Sequence, residues 1–346
     1  MRGEPSGVVV IGAGIAGVAC ARELRDAGVP VHIRERGRVV GGRMASRRFD
    51  GRPADLGAAY FTVSDPEFAE VVRGWQAAGL AREWTDTFAA YDGGGRRAAP
   101  GPMRWSAPRG LRSLVEQLAR DLPVVVNRLV LSVGPGPTVD GEECAAVVLA
   151  MPGPQAALLL DPELVPATDA VGRQRWSPTL AAMLRFPCRR WTDFGGAFVN
   201  DHPLLSLVCD DGDRRGDGAA VLVAHTTEGF AAGHLAQPTA AAPQIEAAVR
   251  DLLALPDRAE FVHVHRWTYA KPADDGGPAT GFHLDDDGIG LAGDAFGRPR
   301  VQTAWRSGRD LGRAASSGGQ LRRRRRVKAP AGTPSRCACP TRRASA

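Results

Sequence analysis

The apolar positions at the start of the chain predict a strand, a helix and a second strand. Residues 8–11 are continuously apolar, which is typical of a parallel strand covered on both faces. Val18, Ala21 and Leu24 then recur at helical spacing, and the helix is predicted to end at Gly28, a natural terminator. Residues 31–35 form the second strand, so the N-terminus is predicted to be an α/β unit.

The later part of the chain repeats this alternation. Residues 111–118 carry leucine and valine at helical spacing, and residues 124–133 are predicted to form a pair of strands. A buried strand is expected at residues 145–150, and a short strand near residue 289 ends in Gly293 and Asp294. Residues 301–313 are predicted to form a closing helix.

The turn after the first strand carries Gly12, Gly14 and Gly17 in a G-x-G-x-x-G pattern. In such a turn the first glycine permits the tight bend, the second lets the backbone approach a pyrophosphate, and the third allows close packing of helix and strand. Glu35 lies 23 residues after Gly12, where a carboxylate accepts the hydroxyls of an adenosine ribose and disfavours a 2′-phosphate. Together these features predict dinucleotide binding.

Two further segments favour FAD over NAD. Gly41, Gly42 and Arg43 follow the second strand, and this resembles the FAD-dependent amine-oxidase superfamily, in which a G-G-R segment after the ribose acid wraps the cofactor. A guanidinium there can pair with pyrophosphate oxygens, although an arginine in a surface turn would have the same sequence. The strand that ends at Asp294 resembles the last FAD strand of many flavoproteins, whose acid takes a ribityl hydroxyl.

Three other segments resemble the renalases more specifically. They are A-D-L-G-A-A-Y-F-T at residues 54–62, V-L-V-A-H-T-T at residues 221–227, and H-R-W-T-Y-A at residues 265–270. The resemblance runs from residue 8 to about residue 313. It departs from the family at Ala59, where glutamine is frequent, and at Gln302, where many relatives have an acid.

The resemblance implies an α/β fold, α+β overall, in which a discontinuous Rossmann-like FAD domain is interleaved with a smaller mixed-sheet substrate domain. We assign residues 1–58, 106–160 and 280–314 to the FAD domain and residues 59–105 and 161–279 to the substrate domain. Residues 315–346 lack apolar periodicity and are predicted to be a disordered basic tail.

The predicted cofactor is FAD, held non-covalently because the chain has no recognisable covalent-flavin motif. The residues predicted to bind it are Gly12, Gly14, Gly17, Glu35, Arg36, Gly42, Arg43, Gly57, Ala58, Val130, Gly293, Asp294, Thr303 and Ala304.

The activity implied by the resemblance is oxidation of 2- or 6-dihydro isomers of NAD(P), with O₂ as acceptor and H₂O₂ as product. Hydride transfer to a flavin needs positioning more than acid–base chemistry. The predicted catalytic residues are Tyr60, His225, Arg266 and Trp267. Phe61 and Tyr269 are further candidates for aromatic walls around the substrate, although aromatic residues on strands are often plain core.

Two other functions remain open at this stage. An amine or amino-acid oxidase is possible on the same scaffold, but Lys271 is the only lysine before the tail that is available for the water-bridged role seen in many amine oxidases. A catalytically degenerate FAD-binding protein is the second alternative, motivated by Ala59, Gln302 and the unusual tail.

The distribution of charge along the chain limits the classes of partner that the folded body is expected to bind. The formal net charge of +6 is concentrated in the tail, where residues 314–346 hold nine Lys or Arg and no acid, so the body is mildly acidic and no nucleic acid is expected to bind it. The expected partners are a small-molecule substrate and O₂; no membrane span is predicted, the cytoplasm is the default location, and the oligomeric state stays open.

No metal site is predicted. His263 and His265 share a strand face without a third ligand, and Cys337 and Cys339 lack the spacing of a zinc site. The remaining cysteines, Cys20, Cys144, Cys188 and Cys209, are expected to be reduced and buried, and acidic runs such as residues 210–211 are expected to be solvated turns.

Overall fold

The fold contains two large sheets and a set of helices, seen in a computed structural model that describes residues 6–191, 194–273 and 281–317. The strands are β1 (Ser6–Ile11), β2 (Val31–Arg34), β3 (Ser46–Phe49), β4 (Arg52–Asp55), β5 (Arg82–Asp92), β6 (Gly95–Ser106), β7 (Val124–Val125), β8 (Val133–Gly134), β9 (Thr138–Val139), β10 (Glu142–Leu149), β11 (Trp176–Arg185), β12 (Gly196–Val199), β13 (Leu205–Asp210), β14 (Val221–Thr226), β15 (Phe261–Pro272), β16 (His283–Leu284) and β17 (Ile289–Leu291). The helices are α1 (Ile15–Asp26), α2 (Pro66–Ala77), α3 (Arg112–Leu118), α4 (Gly153–Ala157), α5 (Val165–Gly172), α6 (Asp211–Arg215), α7 (Glu228–Ala232), α8 (Ala242–Leu253) and α9 (Val301–Ser317). Short 3₁₀ turns span Gly42–Met44, Pro238–Ala241 and Asp294–Phe296.

The first sheet has the order β16-β17-β10-β1-β2-β7. Its strands from β17 to β7 run parallel, and β16 is antiparallel to β17. Side chains alternate between its faces, so Val8 and Val10 pack under α1, α3 and α9, whereas Val9 and Ile11 pack with α4 and α5. This burial on both faces explains the uninterrupted apolar run at the start of the chain.

Helices α1 and α9 cross at very close range because α9 contributes glycine at the contact. A Cβ at Gly308 would overlap the carbonyl oxygen of Ala16, and one at Gly312 would lie 2.7 Å from the carbonyl oxygen of Cys20. The last helix of the described chain is thereby held against the first, and it also contacts the 3₁₀ turn Asp294–Phe296 that follows β17.

The second sheet has the order β15-β11-β14-β13-β12-β5-β6. Its pairs are antiparallel except for β12 and β5. One face packs on α8 through Ile245 and Val249. The other face packs on residues 54–60, which follow the cofactor segment, so this face is turned toward the first sheet.

Several sequence-based expectations need correction. Helices α2 and α5 lie in segments assigned to the substrate domain, yet their apolar faces pack with the first sheet. Residues 124–133 contain only the two-residue strand β7 and the start of β8, and most of the valines and leucines between them are exposed. Helix α9 continues through residues 315–317, which were assigned to the tail. The rest of the predicted tail, with Cys337 and Cys339, lies outside the described residues.

The expectation that residues 210–211 form a solvated turn is wrong, because Asp210 and Asp211 are fully buried. Cys188 is exposed rather than buried, whereas Cys20, Cys144 and Cys209 are buried and form no disulfide, as expected. In the described part of the chain, no helix is long and apolar enough to cross a bilayer.

Candidate active site

The glycine-rich turn connects β1 to α1, and the geometry requires or favours glycine at each of its three positions for a different reason. Gly12 has φ +106°, a value that side chains rarely allow. A Cβ at Gly17 would overlap the carbonyl oxygen of Gly12, so this glycine permits the close packing of helix and turn. A Cβ at Gly14 would meet only the Cα of Gly42, at 3.9 Å. Space beside Gly14 is therefore kept open at the start of α1, whose first turn has no side-chain cap.

Glu35 follows β2 and is held in place by the backbone of this turn. The Ala13 N–H donates to its Oε2 atom (2.8 Å) and the Gly37 N–H to its Oε1 atom (2.6 Å). A carboxylate oxygen accepts more than one hydrogen bond, so both oxygens retain capacity for ribose hydroxyls. Arg36 beside it is exposed.

The segment after β2 turns back onto the glycine-rich turn. Gly41 donates its N–H to the Ala13 carbonyl (2.9 Å), and a Cβ at Gly42 would lie 3.1 Å from the Cα of Gly14. Arg43 is therefore brought to the end of β1. Its guanidinium pairs with both carboxylate oxygens of Asp294, at 2.5 and 2.9 Å.

Asp294 reaches this position from the opposite end of the chain. It begins the 3₁₀ turn after β17 and is 6% exposed. Gly293 before it has φ +154° and open space where a Cβ would stand, and its N–H donates to Ser307 on α9 (3.0 Å). Arg43 also donates to the carbonyl of Ala270 on β15 (3.1 Å). Residues 251 positions apart thus meet at the junction of the two sheets.

The other predicted cofactor residues are distributed around this junction. Ala58 donates its N–H to the Arg43 carbonyl (2.9 Å), and a Cβ at Gly57 would overlap that same oxygen. Val130 has its side chain buried against the second face of the first sheet. Thr303 and Ala304 lie in the first turn of α9, where Ala304 packs into the core.

Gln302 has a structural partner of its own. Its side-chain oxygen accepts from the backbone N–H groups of Ser64 (2.7 Å) and Asp65 (3.0 Å), and its amide donates to the Ser64 hydroxyl. The residue that departs from the family pattern therefore ties the start of α9 to the start of α2.

The inner face of the second sheet forms one wall of the site. In register across this sheet, His265 and His225 both lie opposite Ala181, and Leu207 lies opposite both His225 and Phe198. Trp267 stands over the Leu56 segment and donates its indole N–H to the Leu56 carbonyl (2.6 Å). The wall is apolar and aromatic, interrupted by imidazoles.

Tyr60 meets this wall at a buried arginine that sequence reasoning missed. Arg104 on β6 is 4% exposed and lies over the rings of Phe88 (4.1 Å), Tyr60 (5.5 Å) and Phe198 (5.6 Å). Its Nη1 atom donates to the Asp86 carbonyl (2.7 Å), and its Nε atom is buried without a partner. No carboxylate among the described residues pairs with it. An arginine beside a tryptophan on a strand gives no sequence signal of this burial.

His225 is a neutral imidazole in the wall. Burial lowers its pKa to about 4, and the positive charges of Arg214 and Lys271 add to the effect. Its Nε2 atom is buried and has no hydrogen-bond partner within the described protein. A buried polar atom without a partner is costly, which makes this nitrogen the clearest unsatisfied donor or acceptor of the wall.

We expect His225 to make the stability of the protein fall between pH 6.5 and about pH 4. Between these two values the unfolded chain binds a proton at His225 and the folded protein does not, so the free energy of unfolding rises with pH. The contribution of His225 to stability is fully present above pH 6.5. Urea unfolding at pH 4.5 and pH 7.5 measures the effect. His225→Gln should show a smaller difference between the two values, and an unchanged difference would contradict the assignment.

Two predicted site residues lie elsewhere. Arg266 shares the outer face of β15 with Val264, because side chains alternate along a strand, and it donates to the carbonyl of Leu235 (2.6 Å). It anchors a loop and does not face the site. Phe61 is core, packed against Phe68, Trp75 and Trp105.

A buried ion network supports the site from behind. Asp211 on α6 pairs with Arg214, Arg215 (3.0 Å) and Arg52 (2.6 Å), and Arg215 also pairs with Asp55 (2.9 Å). Arg214 donates to the Ala59 carbonyl (2.7 Å), one residue before Tyr60. The spacing of Asp211, Arg214 and Arg215 at i, i+3 and i+4 is the signal that sequence reasoning overlooked.

The geometry fits a dinucleotide cofactor. Open space beside Gly14 and Gly293, the uncapped start of α1, and the positioned Glu35 carboxylate form a cradle that runs from an adenosine ribose site to Asp294. The N–H groups at the start of a helix are donors of the kind that bind a pyrophosphate, whereas the Arg43 guanidinium is already engaged by Asp294 and the Ala270 carbonyl.

Comparison with known families decides the class. The family model described as flavin containing amine oxidoreductase matches residues 74–311, more than half of the chain, and a model of an NAD(P)-binding Rossmann-like domain matches residues 10–75. The chain belongs to the flavin-containing amine oxidoreductases. It is an FAD-dependent oxidoreductase, and its cofactor is FAD.

Solved structures show the same fold at low identity. A putrescine oxidase variant has a TM-score of 0.72 with 15% identity, and covers 90% of this chain and 99% of its own. Cyclohexylamine oxidase from Brevibacterium oxydans IH-35A gives 0.71 with 14% identity over 91% and 99%. A fatty acid isomerase from P. acnes gives 0.64 with 11% identity over 89% and 98%. Neighbours with such different names show that this fold does not determine the reaction.

Proposed function

We propose that this flavoenzyme is an oxidase that takes a hydride from 2- or 6-dihydro isomers of nicotinamide nucleotides, in the manner of the renalases, with O₂ as the electron acceptor. Bound FAD supplies the two-electron acceptor for such chemistry. The residues of the chain hold the substrate ring, exclude water from it, and orient its reacting C–H bond.

The observation that carries this proposal is the electrostatic character of the wall. Its polar groups include the neutral His225 and the buried cation Arg104, and the positive charge of Lys271 contributes to the lowered pKa of His225. The nearby acids are already engaged: Asp211 and Asp294 pair with arginines, and Asp213 accepts from the Trp84 indole (2.7 Å). Among the described residues, the buried carboxylates of Asp211 and Asp294 are therefore already neutralised and offer little to a cationic amine, whereas a neutral dihydropyridine ring suits aromatic walls.

A second candidate is an amine oxidase, which the family match and the putrescine and cyclohexylamine oxidase neighbours favour. Lys271 lies at the end of β15, opposite Ser177, and remains the lysine available for an amine-oxidase role. An amino-acid substrate would bring its own carboxylate to the cationic groups of the wall.

We expect anaerobic addition of 2- or 6-dihydro-NAD to bleach the flavin absorbance of the purified protein within seconds, and air to restore it with formation of H₂O₂. A panel of amines and amino acids is added in parallel, with ordinary 4-dihydro-NAD as the matched control. Bleaching by amines alone would replace the proposal with the amine-oxidase function. A flavin that none of these compounds reduces would indicate a catalytically degenerate protein.

A further inference from the structure

Arg43 is held by the second sheet as well as by Asp294. Its guanidinium lies over the indole ring of Trp176, with the Cζ atom 4.9 Å from the ring centroid. Trp176 is the first residue of β11 and is half-buried. The face of an indole ring attracts a guanidinium and stacks with its plane, so this contact helps to orient the arginine. Arg43 therefore joins a carboxylate that follows the first sheet to an aromatic ring of the second.

An irregularity in β15 supplies the third partner of Arg43. Residues 268–270 of β15 lie opposite the single residue Pro178 of β11, so β15 bulges there. Proline has no N–H to donate, and prolines within sheets are confined to edges and bulges. The carbonyl of Ala270, the last residue of the bulge, accepts from Arg43 at 3.1 Å. Bulges beside active sites commonly re-aim a group in this way.

Trp176 is itself fixed at the edge of the first sheet. Its indole N–H donates to the side-chain oxygen of Gln174 (3.3 Å). That oxygen would overlap a Cβ at Gly153, the first residue of α4, which follows β10. Trp176 is thus connected to the segments that follow β10 and, through Arg43, β17. These segments lie at the carboxyl edge of the parallel strands, where open α/β sheets bind their ligands.

We infer that Trp176 is a positioning residue for the cofactor, because it fixes the Arg43 guanidinium that holds the Asp294 carboxylate in the orientation that FAD requires. The stack and the Ala270 carbonyl restrict the rotation of the guanidinium, whose two terminal nitrogens both reach Asp294. The inference rests on the predicted assignment of Asp294 to the cofactor and does not depend on which substrate is oxidised. It makes the sheet of the substrate domain a determinant of FAD affinity.

The test measures release of FAD from the purified holoprotein, followed by the change in flavin fluorescence on dilution, and needs no substrate. Trp176→Leu should weaken FAD binding by about 5–30-fold, the range expected for loss of a partly desolvated cation–π contact. Trp176→Phe keeps an aromatic face for the guanidinium and should stay within about threefold of the wild type. Equal losses in the two variants, or no loss in Trp176→Leu, would overturn the inference.

The same two strands offer a control at their other end. Arg185 on β11 lies over the ring of Phe261 on β15, with the Cζ atom 5.6 Å from the ring centroid. Phe261→Leu removes this stack far along the strands from Asp294 and should leave the affinity for FAD unchanged. A loss as large as that of Trp176→Leu would show that FAD affinity follows the general stability of the second sheet, which contradicts a specific role of Trp176.

Arg43→Gln decides whether Trp176 acts through the arginine. In this background Trp176→Leu should weaken FAD binding no further, because the ring has no guanidinium left to orient. Losses that add would show that Trp176 affects the cofactor without Arg43 and would overturn the positioning role. Should Trp176→Leu fail to fold, Arg43→Lys tests the same contact, since a lysine keeps the charge but loses the stack and the paired hydrogen bonds. Normal FAD affinity in Arg43→Lys would equally contradict the inference.

Discussion

Replacing Asp211 by asparagine should lower the free energy of unfolding by about 3–5 kcal/mol, the cost typical of breaking a buried ion pair from one side. Asp211 is fully buried and compensates Arg214 and Arg215, which are themselves buried, together with Arg52. An asparagine has nearly the same shape but no charge, so two buried guanidinium groups would share the single carboxylate of Asp55. Urea unfolding of the FAD-saturated protein at pH 7.5 measures the loss.

Asp217 provides a matched control, because it pairs with Arg52 as Asp211 does. Asp217 also pairs with Arg52, at 2.7 Å, but its side chain is 41% exposed. Asp217→Asn should therefore cost about 0–1 kcal/mol, as exposed pairs do. If both substitutions cost the same, burial of the network is not what makes Asp211 important.

The same network predicts sensitivity to acid. Burial raises the pKa of Asp211, but the charges of Arg214, Arg215 and Arg52 outweigh burial and hold the pKa well below its ordinary value. Its contribution to stability is therefore complete above the unfolded value of about 4 and is lost as the pH falls through the folded value. The wild type should lose stability below pH 4 more steeply than Asp211→Asn.

The cofactor half of the site could be predicted from sequence because its determinants are local. Gly12, Gly14 and Gly17 act within one turn, and Glu35 reaches that turn from the end of the neighbouring strand. Asp294 was assigned to the site from its position after a short strand, but its pairing with Arg43 depends on the addition of β17 to the first sheet. Chain order and glycine spacing suffice for contacts of this kind.

The substrate half depends on contacts that no local pattern specifies. The place of Arg104 between the rings of Tyr60, Phe88 and Phe198 requires three separate segments to meet. Alternation on β15 puts Arg266 and Trp267 on opposite faces, but only the packing of α8 decides which face is the outer one. Asp210 and Asp211 were predicted to be solvated because the sequence does not show which arginines pair with them. Their partners come from α6 itself, from β4 and from residue 189.

Gly14→Val should leave the protein folded and weaken FAD binding by at least about 100-fold, or roughly 3 kcal/mol. Gly14 has φ −76° and ψ 175°, which valine adopts without strain, and its Cβ would meet only the Cα of Gly42, at 3.9 Å. The Cβ atom of a side chain at this position therefore fits without displacing its neighbours. The side chain fills the space through which a pyrophosphate reaches the first N–H groups of α1. The substitution should therefore reduce the affinity for FAD rather than the stability of the fold.

Substitutions at two other glycines serve as controls for this prediction. Gly74 in α2 has open space around its Cα, so Gly74→Ala should bind FAD like the wild type. Gly17→Ala would press a Cβ into the Gly12 carbonyl, so it should lower the stability of the FAD-free protein as well as its affinity. Fluorescence titration with FAD and thermal unfolding without it separate these outcomes. A Gly14→Val protein that binds FAD normally would show that the pyrophosphate does not pass this turn, and one that fails to fold would show that the turn itself needs glycine for packing.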